Sequence, residues 1–389
     1  MKIAVQALHK YLAPNNNWIY NQFTNFKYFD YIIVANSYQD PEIFPIEKGK
    51  LYLFPKMKYG ELPLFQHLFR AIVYRIFVKT GLDNCCFYFA LRNKEVSIIH
   101  AHFANNAYKY LGLIRKLKVP FVISFYGYDY EMLPRQFPIW KSRYQELFHA
   151  ATAIICEGEY GKKQLIKSGC PSEKIYVNHL GIDVEKIPFK IRKWSIGETI
   201  RFCQIASFVQ KKGHEYTIKA FASFLNHYPN AHLTLIGSGQ LLPDIKKLAE
   251  SLRILEKVDF IDFVPYHELY HELMKYHLFI HPSVTADDGD CEGGAPVILL
   301  DAQATGLPVI STFHCDIPEE VIHGKSGYLV QEKNVKQLEE MMEEFVEKPA
   351  LIRMFGEYGR KHVELNYNVL SCSQNLETIY ENIMIGHKE

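Results

Sequence analysis

The chain has no run of about 18 uninterrupted apolar residues, so no segment reads as a membrane-spanning helix. It has no surplus of either charge: 44 Lys and Arg against 43 Asp and Glu leave a formal net charge of +1. A field that would condense the protein on nucleic acid is therefore missing, and an anion must be held locally. The eight cysteines, at 85, 86, 156, 170, 203, 291, 315 and 372, include no Cys-x-x-Cys pair and no zinc-like spacing. Several sit in apolar runs such as TAIIC at 152–156, which reads as reduced, buried thiols of a cytoplasmic protein and not as a disulfide framework. The opening text MKIAVQALHKYLAP has a short apolar run and no small-residue cleavage site. It reads as a first strand, not a signal peptide.

What is present is the alternation of βαβ units, repeated over 389 residues, a length that predicts two domains. In the second half, short β-rich runs at 200–206, 232–237, 258–261, 278–283, 308–312 and 327–330 alternate with helical text. One such helix is HEYTIKAFASFLNHY at 214–228, with Ile218, Phe221, Ala222 and Leu225 on one face. The first half repeats the grammar with longer insertions, at 2–7, 31–36, 96–100, 121–125, 152–156 and 175–179. The text 184–199 has no period and reads as the interdomain linker. The expected division is thus 1–184 for an acceptor-binding domain, 200–365 for a nucleotide-sugar-binding domain, and a terminal helix, 366–389, crossing back to the first domain. Open sheets of this kind bind ligands beyond the carboxyl ends of their strands.

The densest motif is EGGAPVILLDAQATGLPVIST at 292–312. Its glycines free backbone amides after a strand, and a helix starts near Pro296, where a missing N–H costs nothing. Such a start suits a diphosphate or sugar hydroxyls, with Glu292 in the loop and Asp301 further along the helix. A second motif, ASFVQKKGH at 206–214, follows the first strand of the same domain. Its Lys212 is positioned to stabilise a departing diphosphate, with Lys211 as a further cation; the plainer reading is a basic turn before a helix. GSGQL at 237–241 is a tight strand-to-helix turn without the full dinucleotide fingerprint, which argues against a nicotinamide enzyme. DDGD at 287–290 reads as a solvated loop, not a metal site.

These residues resemble the signature of the family 4 retaining glycosyltransferases, most closely the subgroup that builds colanic acid and related exopolysaccharides. The resemblance extends over nearly the whole chain and is strongest over 200–330. It implies an α/β fold of the GT-B type, two doubly wound Rossmann-like domains facing a central cleft. It also implies no metal and no cofactor, the co-substrate being a UDP- or GDP-linked sugar. The donor site it implies comprises Ser207, Lys211, Lys212, Gly237, Gly239, Glu292, Gly293, Gly294 and Asp301. Three departures stand out: Ser207 replaces the family's Arg, eight residues instead of seven separate the two acids, and the second acid is Asp.

In the first half, IHAHFANNAY (99–108) and SFYGYD (124–129) resemble the family's cleft-facing segments, with Tyr126 where many members have a sugar-contacting His. Tyr126 and Asp129 join Lys212 and Glu292 as the expected catalytic group, and His102 as an acceptor contact. A Tyr hydroxyl can exchange one hydrogen bond but carries no charge near neutral pH. Asn15, Asn16 and Asn17 lie where the family has a loop over the acceptor; they suit sugar hydroxyls and equally suit a turn. The segment 64–79, LFQHLFRAIVYRIFVK, reads either as a helix packed on the sheet or as a basic amphipathic helix resting on an anionic membrane. The resulting expectation is a cytoplasmic hexosyltransferase, peripheral at the inner face of the cell membrane on the second reading of 64–79, acting on a glycan or lipid-linked glycan. The rival expectations are a nucleotide-sugar-binding partner subunit without catalysis and an epimerase on the same fold.

Overall fold

The computed structural model describes residues 1–11, 17–38, 42–54, 72, 76 and 80–386. Two compact units emerge, Met1–Gly181 with Val369–Glu389, and Ile182–Asn368. Among the described residues no helix is long and apolar enough to cross a membrane.

The first unit holds β1 (Lys2–Ala7), β2 (Lys10–Tyr11), β3 (Phe29–Ala35), β4 (Ser37–Tyr38), β5 (Leu51–Leu53), β6 (Val96–His102), β7 (Phe121–Ser124), β8 (Ala153–Cys156) and β9 (Ile175–Val177). Seven of these form one parallel sheet in the order β5-β3-β1-β6-β7-β8-β9, and β2 pairs with β4 apart from it. Every residue of β7 and of β8 is buried, as parallel strands covered on both faces must be. The helix Val369–Gly386 covers part of one face, packing Leu376, Ile379, Tyr380 and Ile383 against Ala4, Ile98 and Val122. Its buried Glu377 accepts the backbone N–H groups of Lys27, Tyr28 and Phe29 at 2.9, 2.6 and 2.8 Å, fixing the entry to β3.

The second unit holds β10 (Ile200–Ile205), β11 (Ala231–Ile236), β12 (Val258–Ile261), β13 (Leu278–His281), β14 (Val309–Thr312) and β15 (Gly327–Val330), all parallel, in the order β12-β11-β10-β13-β14-β15. The helix His214–His227 buries Ile218, Phe221 and Phe224 against Phe202 of β10 and its neighbours, the face its 3.6-residue period prescribes. The text 184–199, expected as a linker, packs against the second unit. Trp194 enters the second core, and Ile187 packs with Leu300, Ala304 and Val363. Buried Arg192 donates to the carbonyls of Lys190, Leu273, Tyr276 and Thr305, capping two helix ends whose last carbonyls lack intrahelical partners. A guanidinium so engaged binds its segment to the unit, which is why the division falls at 181/182 and not near 200.

In both sheets the chain builds outward from a first strand and then returns to that strand's other side. The reversal lies between β1 and β6 in one unit and between β10 and β13 in the other. At such a switch point the loops leave in opposite directions and open a crevice beyond the strand ends.

Candidate functional site

The loops leaving β10 and β13 meet at the switch point of the second unit. The β10 loop ends in a 3-10 turn, Gln210–Lys212, followed by Gly213. Gly213 has φ +69°, and a Cβ there would stand 1.9 Å from the Pro282 carbonyl oxygen, so only glycine lets the two loops touch. From within β10, buried Gln204 donates to the Lys212 carbonyl at 2.7 Å and accepts from the Thr217 hydroxyl at 2.7 Å. The backbone of Lys212 is therefore held from below.

Lys212 Nζ lies 2.9 and 2.7 Å from the two oxygens of Glu292. Glu292 Oε1 also accepts from the Ser283 hydroxyl at 2.7 Å, and His281 Nε2 stands 3.6 Å away. Burial alone would push this carboxyl up; the Lys212 charge and His281 more than offset it and hold it well below the usual range. His214, stacked on Phe208 with ring centroids 4.1 Å apart, is brought down to about 3, chiefly by burial. The polar floor thus consists of one ion pair surrounded by neutral imidazoles. Gln204, His214, His281 and Ser283 were not singled out from the sequence; a polar residue inside an otherwise apolar strand, such as Gln204, was the available signal.

Lys211 turns to Asp290 Oδ1 and the Cys291 carbonyl, each at 3.1 Å. The acids of 287–290 do not converge: Asp287 accepts from Gln210, and Asp288 accepts the Asp290 amide. Ser207 is exposed. Gly237 and Gly239, at φ +143° and +152°, lie flush against the β10 loop, where a Cβ would stand 2.0 Å from Ala206 O and 2.6 Å from Phe208 O. Close packing accounts for both. The Gly293 amide bonds to Cys315, and the Gly294 carbonyl accepts from the Asp316 amide at 3.2 Å, so this turn is tied to the β14 loop. Asp301 is buried within the helix Ile298–Ala304, accepts from Tyr270 at 3.2 Å, and is pushed up to about 7 by burial.

In the first unit His102 and Asp129 both lie inside the fold. His102 is fully buried; Nδ1 pairs with the Tyr126 hydroxyl at 2.8 Å and Nε2 with Gln6 Oε1 at 2.9 Å. Burial lowers its pKa to about 3, which keeps the imidazole neutral. Asp129 is also fully buried, and its two oxygens accept the Ala104 and Tyr126 amides, each at 3.0 Å. It joins two helix starts, and burial raises its pKa to about 7. Tyr126 is buried against Trp18, at 4.4 Å between ring centroids, and Phe103 at 4.6 Å. Asn17 begins the helix Asn17–Thr24; Asn15 and Asn16 lie outside the described residues, as does 64–79 apart from Ile72 and Ile76. A cluster not anticipated lies beside the switch point: Lys109 Nζ is 3.2 Å from Asp83 Oδ2 and 2.9 Å from His9 Nδ1, and it bonds to Asn36. Burial outweighs Asp83 and lowers the Lys109 pKa.

Residues 186–362 match the family model described as glycosyl transferases group 1, and 53–186 match glycosyltransferase family 4. The amylovoran biosynthesis glycosyltransferase AmsK of Erwinia amylovora is 29% identical over 291 residues, 74% of this chain and 70% of that one. The putative colanic acid biosynthesis glycosyltransferase WcaL of Escherichia coli strain K12 is 33% identical over 203 residues, 52% of this chain and 49% of its own, so about half of that relative is spanned. Among solved structures, HepE of Anabaena in complex with UDP superposes with a TM-score of 0.74 at 13% identity, covering 98% of this chain and 100% of that one. The apo lipopolysaccharide outer core galactosyltransferase WaaB gives 0.68 at 13% identity, with both chains covered completely. The fold is of the GT-B class, two Rossmann-like domains.

Proposed function

We propose that this chain, which belongs to the glycosyltransferases pairing a family 4 domain with a group 1 domain, transfers a hexosyl-type sugar from a nucleotide diphosphate-sugar to a glycan or lipid-linked glycan acceptor in surface polysaccharide assembly. The observation that carries this reading is Lys212, a cation held from below by Gln204 at the crevice where an open α/β sheet takes its ligand. The names of AmsK and WcaL support the polysaccharide context, and the UDP in HepE supports the donor class.

In the proposed reaction the bond between the anomeric carbon and the diphosphate oxygen breaks as an acceptor oxygen bonds to the same carbon from the same face. The acceptor proton passes to a phosphate oxygen, a nucleoside diphosphate leaves, and the anomeric configuration is retained. Lys212 supplies charge where the diphosphate becomes more negative, without any hard divalent cation. On donor arrival its ammonium is shared between phosphate and Glu292, so the carboxylate is released toward sugar hydroxyls. Lys211, now paired with Asp290, is a second cation within the same loop.

The test is calorimetric titration with UDP, GDP, ADP and TDP and their sugar conjugates, followed by turnover and NMR of the product anomer. One nucleotide should bind, at least tenfold more weakly to Lys212→Ala. Turnover should proceed without added Mg2+ or Mn2+ and give the donor's anomer. Unchanged binding in Lys212→Ala, dependence on those cations, or an inverted product would each overturn the corresponding part.

A further inference from the structure

The turn that ties Gly293 to the β14 loop contains two cysteines and a histidine that the glycosyl transfer does not use. Cys291 stands in the loop after β13, and His314 and Cys315 in the loop after β14. Cys315 Sγ lies 3.7 Å from Cys291 Sγ and 3.3 Å from His314 Nε2, and the three ligand atoms all fall within 4.8 Å of one another. We propose that Cys291, His314 and Cys315 bind one soft, tetrahedral cation, Zn2+ foremost, which pins the glycine turn of the donor loop to the end of β14.

Four observations support this. With metal–sulfur bonds of about 2.3 Å and metal–nitrogen bonds of about 2.0–2.1 Å, a tetrahedral ion separates two sulfurs by about 3.8 Å and sulfur from nitrogen by about 3.5–3.6 Å. The observed 3.7 and 3.3 Å are close to these edges. Second, His314 is oriented as metal-binding imidazoles are: Nδ1 meets Glu332 Oε1 at 2.7 Å, which fixes the proton there and leaves the Nε2 lone pair facing the sulfurs. The Glu292 amide stands 3.1 Å from Nε2, the geometry of an N–H donating to that ring nitrogen. Third, Glu332 is itself anchored, its Oε2 accepting the Thr285 amide at 2.7 Å. Fourth, the Gly293 amide reaches the Cys315 sulfur, so the glycine turn already touches the cluster.

Two thiolates and a divalent ion are neutral together, so binding releases two thiol protons and needs no further counter-charge. The fourth position is left to water. Taking the Nε2 lone pair releases the Glu292 amide, so the ion alters the loop that carries the Lys212 partner. It acts on loop order and takes no part in the transfer, for which the proposed cation remains Lys212.

The experiment is titration of the full chain with Co2+ and then Zn2+, the thiols kept reduced with a phosphine. One equivalent of Co2+ should give sulfur-to-metal charge-transfer absorption and intense tetrahedral d–d bands, both abolished by one equivalent of Zn2+. Cys291→Ser and Cys315→Ser should each lose the charge-transfer intensity in proportion to the sulfur removed, whereas Cys372→Ser, a buried cysteine elsewhere, should match the wild type. Glu332→Gln should keep the tetrahedral spectrum but bind about 10–100-fold more weakly, the effect of losing an outer-sphere carboxylate. Absence of a charge-transfer band in the wild type overturns the proposal even if a variant fails to fold. So does a band whose intensity is undiminished in both cysteine variants, or a Cys291–Cys315 disulfide in protein that takes up no Co2+.

Discussion

Lys212→Ala removes the cation and leaves the Glu292 carboxylate, whose side chain is 7% exposed, beside Ser283 and His281. Breaking a buried pair from one side costs about 3–5 kcal/mol, since the survivor keeps its desolvation penalty and loses its attraction. The Lys212 side chain is 16% exposed, so water reaches the pair and the lower end applies, about 3 kcal/mol. A domain of the second unit's size loses about 2–4 °C of melting midpoint per kcal/mol, which gives a fall of about 6–12 °C at pH 7. Adding Glu292→Gln removes the orphaned charge and should restore at least half of that loss. The pH dependence has a definite sign. Because the folded Glu292 pKa is depressed, the pair's contribution is complete above the unfolded value and is lost as pH falls through the folded one. The variant's deficit is therefore full from neutrality down to the ordinary glutamate range of about 4.3 and shrinks below it. Scanning calorimetry from neutral to acid pH, resolving the two units' transitions, measures this. A Lys212→Ala transition within about 2 °C of the wild type, or a double variant no better than the single, would refute the buried-pair reasoning.

Three further outcomes are expected. Asp129→Asn and Asp301→Asn should each flatten a decline in stability as pH rises from the ordinary aspartate range to about 7, because both folded pKa values are raised and their contributions are lost through that window; calorimetry across it checks the sign. Gly213→Ala should destabilise the second unit by about 1–3 kcal/mol or more, read from urea midpoints, and weaken nucleotide binding by displacing Lys212. His102→Phe should cost about 1–3 kcal/mol in all for the hydrogen bonds lost to Gln6 and Tyr126, yet leave the nucleotide affinity of the second unit unchanged.

The strands were readable because of how they are buried. A parallel strand covered on both faces is a continuous apolar run, and the runs at 121–125, 152–156 and 308–312 appear as β7, β8 and β14 to within a residue or two. The two-residue strands β2 and β4 have no such run, and β5 is only half-buried, so none announces itself. The packing of 184–199 is hidden in the sequence for a related reason. Arg192 satisfies four backbone carbonyls, a role set by helix ends more than 80 residues away, and a lone Arg in aperiodic text carries no mark of it.

The site was legible only where a single loop carries it. Lys212 and Glu292 each stand in a recognisable turn, but that one neutralises the other depends on β10 and β13 being neighbours, a fact of strand order alone. His102 and Asp129 show what a motif does not display: each is buried, His102 against Gln6 and Tyr126 and Asp129 against two helix starts, partners that only the fold brings near. The cysteine–histidine cluster follows the same logic further. Spacing rules for metal ligands presume one hairpin or one helix, whereas here the register pairs Phe279 with Val309 and His281 with Ser311, an offset of 30 residues. Cys291, on a long loop beyond β13, and His314 and Cys315, on a short one beyond β14, are then brought together by the sheet. In a doubly wound fold, chemistry at the switch point is assembled from strand ends adjacent in space. A sequence displays its members separately, and only the strand order says which of them meet.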